Sequence, residues 1–358
     1  MKVAIIGAGL AGLSCAGELM KNGIVPTIFE KKGYLGEDYL FSATTLRILD
    51  RTYRSSVRYL NQRYGLNLKA FSPLREIIMI SPGKTTVERG RLGYIYMRGE
   101  ERDSLERQLA AGINAPILYD SYVRVNDVKN DFDYVIAATG DETAARELGV
   151  WTTTFDVQTR IALVLGSFRL DSAKMWVNNE YARVCYGYLS AHSPGDARLL
   201  LSVNNVSGRE VDYYWNRFLI KEEIPYRIME IKDIEYSLGY VSSARIDNIY
   251  LVGNGAGLID DFLGFGAINA IESGILAARS IINGFDYNEL LRPMKKHIAA
   301  LHEFRKAINE FGNEDYDRLI SFLGLPFVKQ LIYNNPLAKV KTLAGLARVY
   351  NLIKHAED

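Results

Sequence analysis

The sequence predicts an α/β protein. It combines a Rossmann-like domain assembled from separated stretches of chain, an inserted and mostly antiparallel β-sheet domain, and a helical C-terminus. Three observations carry this. The chain opens on an apolar strand, a glycine turn and a helix, Lys2-Val3-Ala4-Ile5-Ile6-Gly7-Ala8-Gly9-Leu10-Ala11-Gly12, with a second short strand ending at Phe29-Glu30. Another strand–glycine–helix stretch runs from Val252 to Gly274. Between them, residues 152–245 are rich in strand patterns and aromatic side chains.

The N-terminal unit has the context that makes a G-x-G-x-x-G meaningful: a strand before it, a helix after it, and an acid about 20 residues beyond Gly9. Gly7 permits the tight turn out of the strand. Gly9 lacks a Cβ, so a pyrophosphate can approach the backbone. Gly12 and Ala16 let helix and sheet pack closely. Around Ala8, Leu10 and Ala11 the helix start points N–H groups and a partial positive charge at a phosphate. Glu30, followed by Lys31, is placed to accept hydrogen bonds from ribose hydroxyls and to disfavour a 2′-phosphate. FAD or NAD(H) therefore fits this site better than NADPH.

Composition narrows the classes. With 43 basic and 42 acidic residues in 358, the net charge of +1 argues against a nucleic-acid protein held by bulk charge. Two cysteines, Cys15 and Cys185, suggest neither a disulfide framework nor a metal site. No signal-peptide pattern and no spanning apolar run is present, so a cytoplasmic protein is expected.

The elements follow in order. Residues 31–45 read as a loop punctuated by Gly33 and Gly36, with Glu37-Asp38. Residues 45–64 read as a helix with Arg47, Arg51, Arg54 and Arg58 on one face, either a solvated face or an anion-facing stripe. Two β-like runs at 76–97, split by Pro82-Gly83, suggest a hairpin. A helix over 103–111, a strand over 117–123 and a buried parallel strand over 133–140, ending in Thr139-Gly140, come next. Candidate strands in the inserted domain are 161–168, 182–189 and 199–203. From 286 onwards the pattern is helical. The expected division is 1–70, 98–150 and 246–285 for dinucleotide binding, 71–97 and 151–245 for the sheet domain, and 286–358 for the helical region.

In the second glycine stretch, Gly253, Asn254, Asp261, Gly264, Phe265, Gly266 and Ala267 lead into a helix of small residues. Something large can pack against such a helix, and its N-terminus suits developing negative charge on a reduced flavin.

The two motifs, their order and the inserted sheet resemble the FAD-dependent oxidoreductases of the aromatic-hydroxylase (p-hydroxybenzoate hydroxylase-like) superfamily, and within it the geranylgeranyl reductase group. The resemblance spans 1–32, 131–149 and 246–282. It implies a discontinuous FAD-binding domain of the GR2 type and reduction of isoprenoid C=C bonds by hydride from reduced FAD. It also implies that Gly7, Gly9, Gly12 and Glu30 hold the ADP half, Arg98 lies near a phosphate, Val123 meets the adenine, and Gly264, Phe265 and Gly266 flank the isoalloxazine. Asn254 replaces an acid that usually binds the ribityl chain or pyrophosphate. Tyr186-Gly187-Tyr188-Leu189 partly matches the aromatic substrate-channel signature, but Ser190-Ala191 follows where Phe-Pro is usual. Thr139-Gly140 replaces the hydroxylases' Asp-Gly. Asp261 stands where a proline is common, either as a carboxylate beside the flavin or as a cap for the following helix. The loop from Gly33 to Phe41 lacks a cysteine many such reductases carry.

Tyr186 and Tyr188 are thus the candidate lining of a lipid or small-molecule pocket, or ordinary strand residues. No proton donor stands out, His192 being a loop histidine. The expected electron donor is NAD(P)H or ferredoxin. Lysines and arginines alternating with apolar residues from Pro326 to His355 suit either peripheral contact with an anionic membrane or packing on the body. Alternative functions are a flavin monooxygenase or other FAD oxidoreductase on a small aromatic or alicyclic substrate, and a non-catalytic flavin redox partner.

Overall fold

The computed structural model describes residues 1–36, 41–49 and 55–330. The chain begins with β1 (Val3–Ile6), α1 (Leu10–Lys21) and β2 (Thr27–Phe29). It then forms β3 (Phe41–Leu46), α2 (Ser56–Tyr64) and the hairpin β4 (Ser72–Ser81) and β5 (Lys84–Arg98). The helices α3 (Leu105–Ala110), α4 (Val125–Val128) and α5 (Thr143–Glu147) flank the strands β6 (Ile117–Leu118) and β7 (Tyr134–Ala137). A long excursion holds β8 (Trp151–Leu165), β9 (Ser172–Trp176), α6 (Asn179–Ala182), β10 (Gly187–Ala191), β11 (Asp196–Asn204), α7 (Val211–Lys221) and β12 (Arg227–Val241). Next come β13 (Arg245–Ile246), β14 (Ile249–Leu251), α8 (Ala267–Asn283), α9 (Tyr287–Asn309), α10 (Asn313–Leu323) and α11 (Pro326–Lys329).

One sheet has six strands in the order β13-β14-β7-β1-β2-β6, parallel except for β13. Its central strands are covered on both faces, which is why Val3 to Ile6 and Val135 to Ala137 are unbroken apolar runs. Helices α1 and α8 cross at van der Waals distance. A Cβ on Gly274 would stand 2.1 Å from the Ala11 carbonyl oxygen, and one on Gly12 would stand 2.0 Å from that of Gly7. The Ser14 hydroxyl adds a bond to the Ile271 carbonyl at 2.8 Å.

The second sheet has eight strands, β12-β8-β11-β10-β9-β4-β5-β3. All pairings are antiparallel except β4 with β9. The mixed α/β architecture with a largely antiparallel second sheet is the one the sequence predicts.

Several local expectations are corrected. No single helix runs over 45–64. Residues 41–46 pair with β5, so part of the stretch assigned to the first segment joins the second sheet. The approach is close because the partner is glycine: a Cβ on Gly93 would lie 1.8 Å from the Thr45 carbonyl oxygen. The helix begins only at Ser56, where the Ser55 hydroxyl accepts from the Arg58 N–H. The arginine face is therefore not built as expected: Arg47 bonds the Arg91 carbonyl at 2.8 Å, while Arg51 and Arg54 lie outside the described residues. Strand pairing takes only residues 45 and 46 of the expected helix, while Arg58 does lie in α2.

The strand expected over 117–123 is only Ile117–Leu118. The 182–189 run divides at Arg183, whose positive φ of 51° ends α6 before β10 begins. The C-terminal region is helical through Lys329, whose ammonium lies 2.7 Å from Glu88. The rest of the basic tail lies outside the described residues. Among the described residues no helix is long and apolar enough to cross a membrane.

Candidate cofactor and substrate site

A single cavity of about 890 Å³ runs from the glycine turn after β1 to the inner face of the second sheet. At one end it is lined by Gly7, Ala8, Gly9, Leu10, Ala11, Glu30, Lys31, Val123, Thr139 and Gly140. Strand ends deliver these groups because parallel strands all point their C-terminal edges the same way. Gly9 faces open space, with nothing within 4 Å of a Cβ, whereas Gly12 is locked against the strand. The two glycines thus differ in surroundings, and Gly12, expected to hold the cofactor, packs helix on strand and is not on the cavity wall. The buried Glu30 carboxylate accepts from the Ala8 N–H at 2.7 Å and the Lys32 N–H at 3.0 Å, so it also braces the turn. Arg98 lines the cavity and is held by the fully buried Glu106 at 2.5 Å.

The middle of the cavity is bounded by Gly253, Asn254 and residues 264–267. The Gly253 N–H donates to the Ser273 hydroxyl at 2.9 Å, and the Asn254 amide donates to the Gly140 carbonyl at 3.2 Å. The second hydrogen bond joins this turn directly to the Thr139-Gly140 turn that follows β7. Helix α8 starts here with no side-chain cap at Gly266, so its first N–H groups are available to a ligand.

The N–H groups of this turn are bonded by Asp260, not Asp261. The Asp260 carboxylate accepts from the N–H groups of Phe262, Leu263 and Phe265, at 3.1, 2.8 and 2.7 Å. Burial nevertheless outweighs these bonds and pushes its pKa up to about 6. Asp261 points away from the cavity and pairs with His302 of α9. The expectation of a carboxylate beside the flavin, or of a cap, is thus replaced by a tie between turn and helix. A shift of one residue decides it, and sequence alone does not separate adjacent aspartates.

The far wall is the second sheet. Tyr186 and Tyr188 both line it, the first donating to the Leu263 carbonyl at 2.5 Å and the second bonded to Thr44. Burial pushes both phenols' pKa upward. Around them stand Thr159, Ile161, Met175, Leu200, Ser202 and Tyr236. His297 and Leu301 of α9 complete the lining near Leu49. None of these was singled out from sequence, because nothing marks one strand residue among many as facing a ligand. His192 lies 3.5 Å from Glu101 and off the cavity wall.

Residues 5–71 match the NAD(P)-binding Rossmann-like domain family. Across the chain, the structure is similar to a geranylgeranyl bacteriochlorophyll reductase-like protein from Thermoplasma acidophilum, with a TM-score of 0.71 and 17% identity over 96% of this chain and 98% of that one. The chain has a flavoprotein fold. A flavoprotein/dehydrogenase from Cytophaga hutchinsonii shares it, with a TM-score of 0.63 and 15% identity over 100% of both chains. So does the flavin-dependent halogenase CmlS, with a TM-score of 0.65 and 15% identity over 99% of this chain and 77% of that one. The likeness extends through the inserted sheet as well as the Rossmann-like domain.

Proposed function

We propose that the chain is a FAD-dependent oxidoreductase that reduces a C=C bond of an isoprenoid or lipid-like substrate. The observation that carries this is the single cavity joining both glycine motifs to a chamber on the inner face of the second sheet. A cofactor long enough to touch Gly9 and Gly264 together is a dinucleotide stretched across the sheet edge, with its reactive end at the chamber. When bound, FAD supplies hydride transfer.

The chain's own residues have positioning tasks in this reading. Gly7, Gly9 and the N-terminus of α1 receive the pyrophosphate, Glu30 and Val123 the adenosine, and Arg98 the flavin-side phosphate. Thr139, Gly140, Gly253 and Asn254 line the path between. The uncapped start of α8 at Gly266-Ala267 places a partial positive charge beside the isoalloxazine, favouring its anionic reduced form. Tyr186 and Tyr188 cover the substrate and exclude water. Reducing equivalents come from NAD(P)H or a ferredoxin.

The test is direct. The purified protein is expected to be yellow, or to take up FAD. After anaerobic reduction, isoprenoid alkenes are expected to reoxidise the flavin. A colourless protein that cannot be reconstituted overturns the cofactor. NADPH-driven oxygen uptake coupled to a hydroxylated product replaces the reductase reading with a monooxygenase.

A further inference from the structure

A chamber for a plain hydrocarbon needs only carbon on its walls, and the sheet face that closes this cavity carries more. Strand register sets two neighbouring rows on it. Ile234 lies opposite Thr159, and Thr159 opposite Ser202. In the next row Ile161 lies opposite Leu200, Leu200 opposite Tyr188, and Tyr188 opposite Met175. All seven line the cavity, as does Tyr236, two residues beyond Ile234 and on the same face. The Thr159 and Ser202 hydroxyls are 2.8 Å apart, and both lie near enough to the Tyr236 phenol to favour its ionised form. A Cβ on Gly264 would stand 3.8 Å from the Tyr236 oxygen and 3.9 Å from that of Tyr186. Hydroxyls therefore meet at the turn where the cofactor's reactive end is placed, while an apolar strip runs past them.

We propose that the substrate carries a carbonyl conjugated to the double bond that is reduced, and that the Tyr236 hydroxyl binds this oxygen while Ile161, Leu200 and Met175 take the hydrocarbon. The inference rests on the flavin reading above. Hydride from reduced flavin adds to the β-carbon, the alkene π pair moves to the bond between the α-carbon and the carbonyl carbon, and the carbonyl π pair moves to oxygen. Tyr236 gives its proton to that oxygen, and the enol so formed tautomerises to the saturated ketone. Flavin is oxidised by two electrons, the enone gains a hydride and a proton, and solvent restores the phenol proton by way of Thr159 and Ser202. The Thr159–Ser202–Tyr236 hydroxyls rotate, so the donor can turn to a ligand without leaving its neighbours unbonded.

The FAD-loaded full chain is titrated with β-ionone, a conjugated enone on an apolar body, and with its hydrocarbon counterpart lacking the oxygen. Binding is read by flavin absorbance change and by thermal shift. The enone is expected to bind about tenfold more tightly, and Tyr236→Phe to remove about that factor while FAD affinity is kept. Equal binding of the two probes, or binding of neither, by protein that retains FAD overturns this proposal and leaves the cofactor assignment standing. Failure to hold FAD overturns both. Where Tyr236→Phe does not fold, the comparison of the two probes on the native chain decides the matter.

Discussion

Tyr186 donates its phenol O–H to the backbone carbonyl of Leu263 at 2.5 Å, tying the inserted sheet to the turn that precedes α8. The bond closes the seam between the two halves of the cavity. Tyr186→Phe leaves that part-buried carbonyl without its donor, and about 1 kcal/mol of stability is expected to be lost. The same variant is expected to hold FAD more weakly, since the turn bearing Gly264 loses an anchor. Urea unfolding and FAD titration check both; an unchanged midpoint shows the tie to be idle.

The glycines of the first motif differ in the space around them. Gly12→Ala and Gly274→Ala drive a methyl into backbone carbonyl oxygens 2.0 and 2.1 Å away, with no flexible atom able to yield. A loss of about 3 kcal/mol or more is expected, enough to deplete soluble protein. Gly9→Ala meets nothing within 4 Å and sits at a φ of −84°, which any residue tolerates. It is expected to unfold at the native midpoint and to fail to retain FAD. Thermal melts with and without added FAD distinguish the cases.

Asp260 makes stability depend on pH in the acid range. Its folded pKa, about 6, is raised above the ordinary value of 3.8 by burial. The folded protein therefore binds more protons than the unfolded chain between those values. The stabilisation is fully present below about 3.8 and is lost as pH rises through about 6. Asp260→Asn is expected to flatten this part of the melting-temperature profile compared with the native chain. An identical slope in both proteins contradicts the assignment.

Asp261 and His302 form a pair in which the acid is buried and one of its oxygens has no hydrogen-bond partner. Removing only His302 leaves a carboxylate stranded, and His302→Leu is expected to cost about 2–3 kcal/mol. Replacing both by leucine is expected to cost less than the single change. A double-mutant cycle in denaturant measures the difference, and simple additivity refutes the pairing.

Much of the glycine-turn end of the cavity was legible in sequence. Gly7, Gly9, Glu30 and Thr139-Gly140 sit at strand ends, and strand ends are marked by apolar runs stopping at glycine. The packing of Gly12 and of the small residues of α8 was legible for the same reason, since only a close approach of backbones demands them. Arg98 and Val123 also reach the cavity wall, although resemblance and not pattern pointed to them. The start of the 45–64 stretch was not legible, because residues 45 and 46 pair with β5 and no local spacing of charges records a partner so far along the chain. The choice between Asp260 and Asp261 was illegible, because both have the same local propensity and only the turn of the chain tells them apart.

The sequence by itself determined the two strand–glycine–helix units, the parallel core between them and the presence of an inserted sheet, since each is written in local period and in glycines that a turn or a close contact requires. Only the tertiary structure decided which strand residues face the cavity, that Thr159, Ser202 and Tyr236 meet beside Gly264, and that α9 brings His297 and Leu301 to the same wall. Those placements depend on register between strands far apart in the chain and on helix packing. A one-residue slip in that register turns every such side chain to the opposite face, and no local pattern records it.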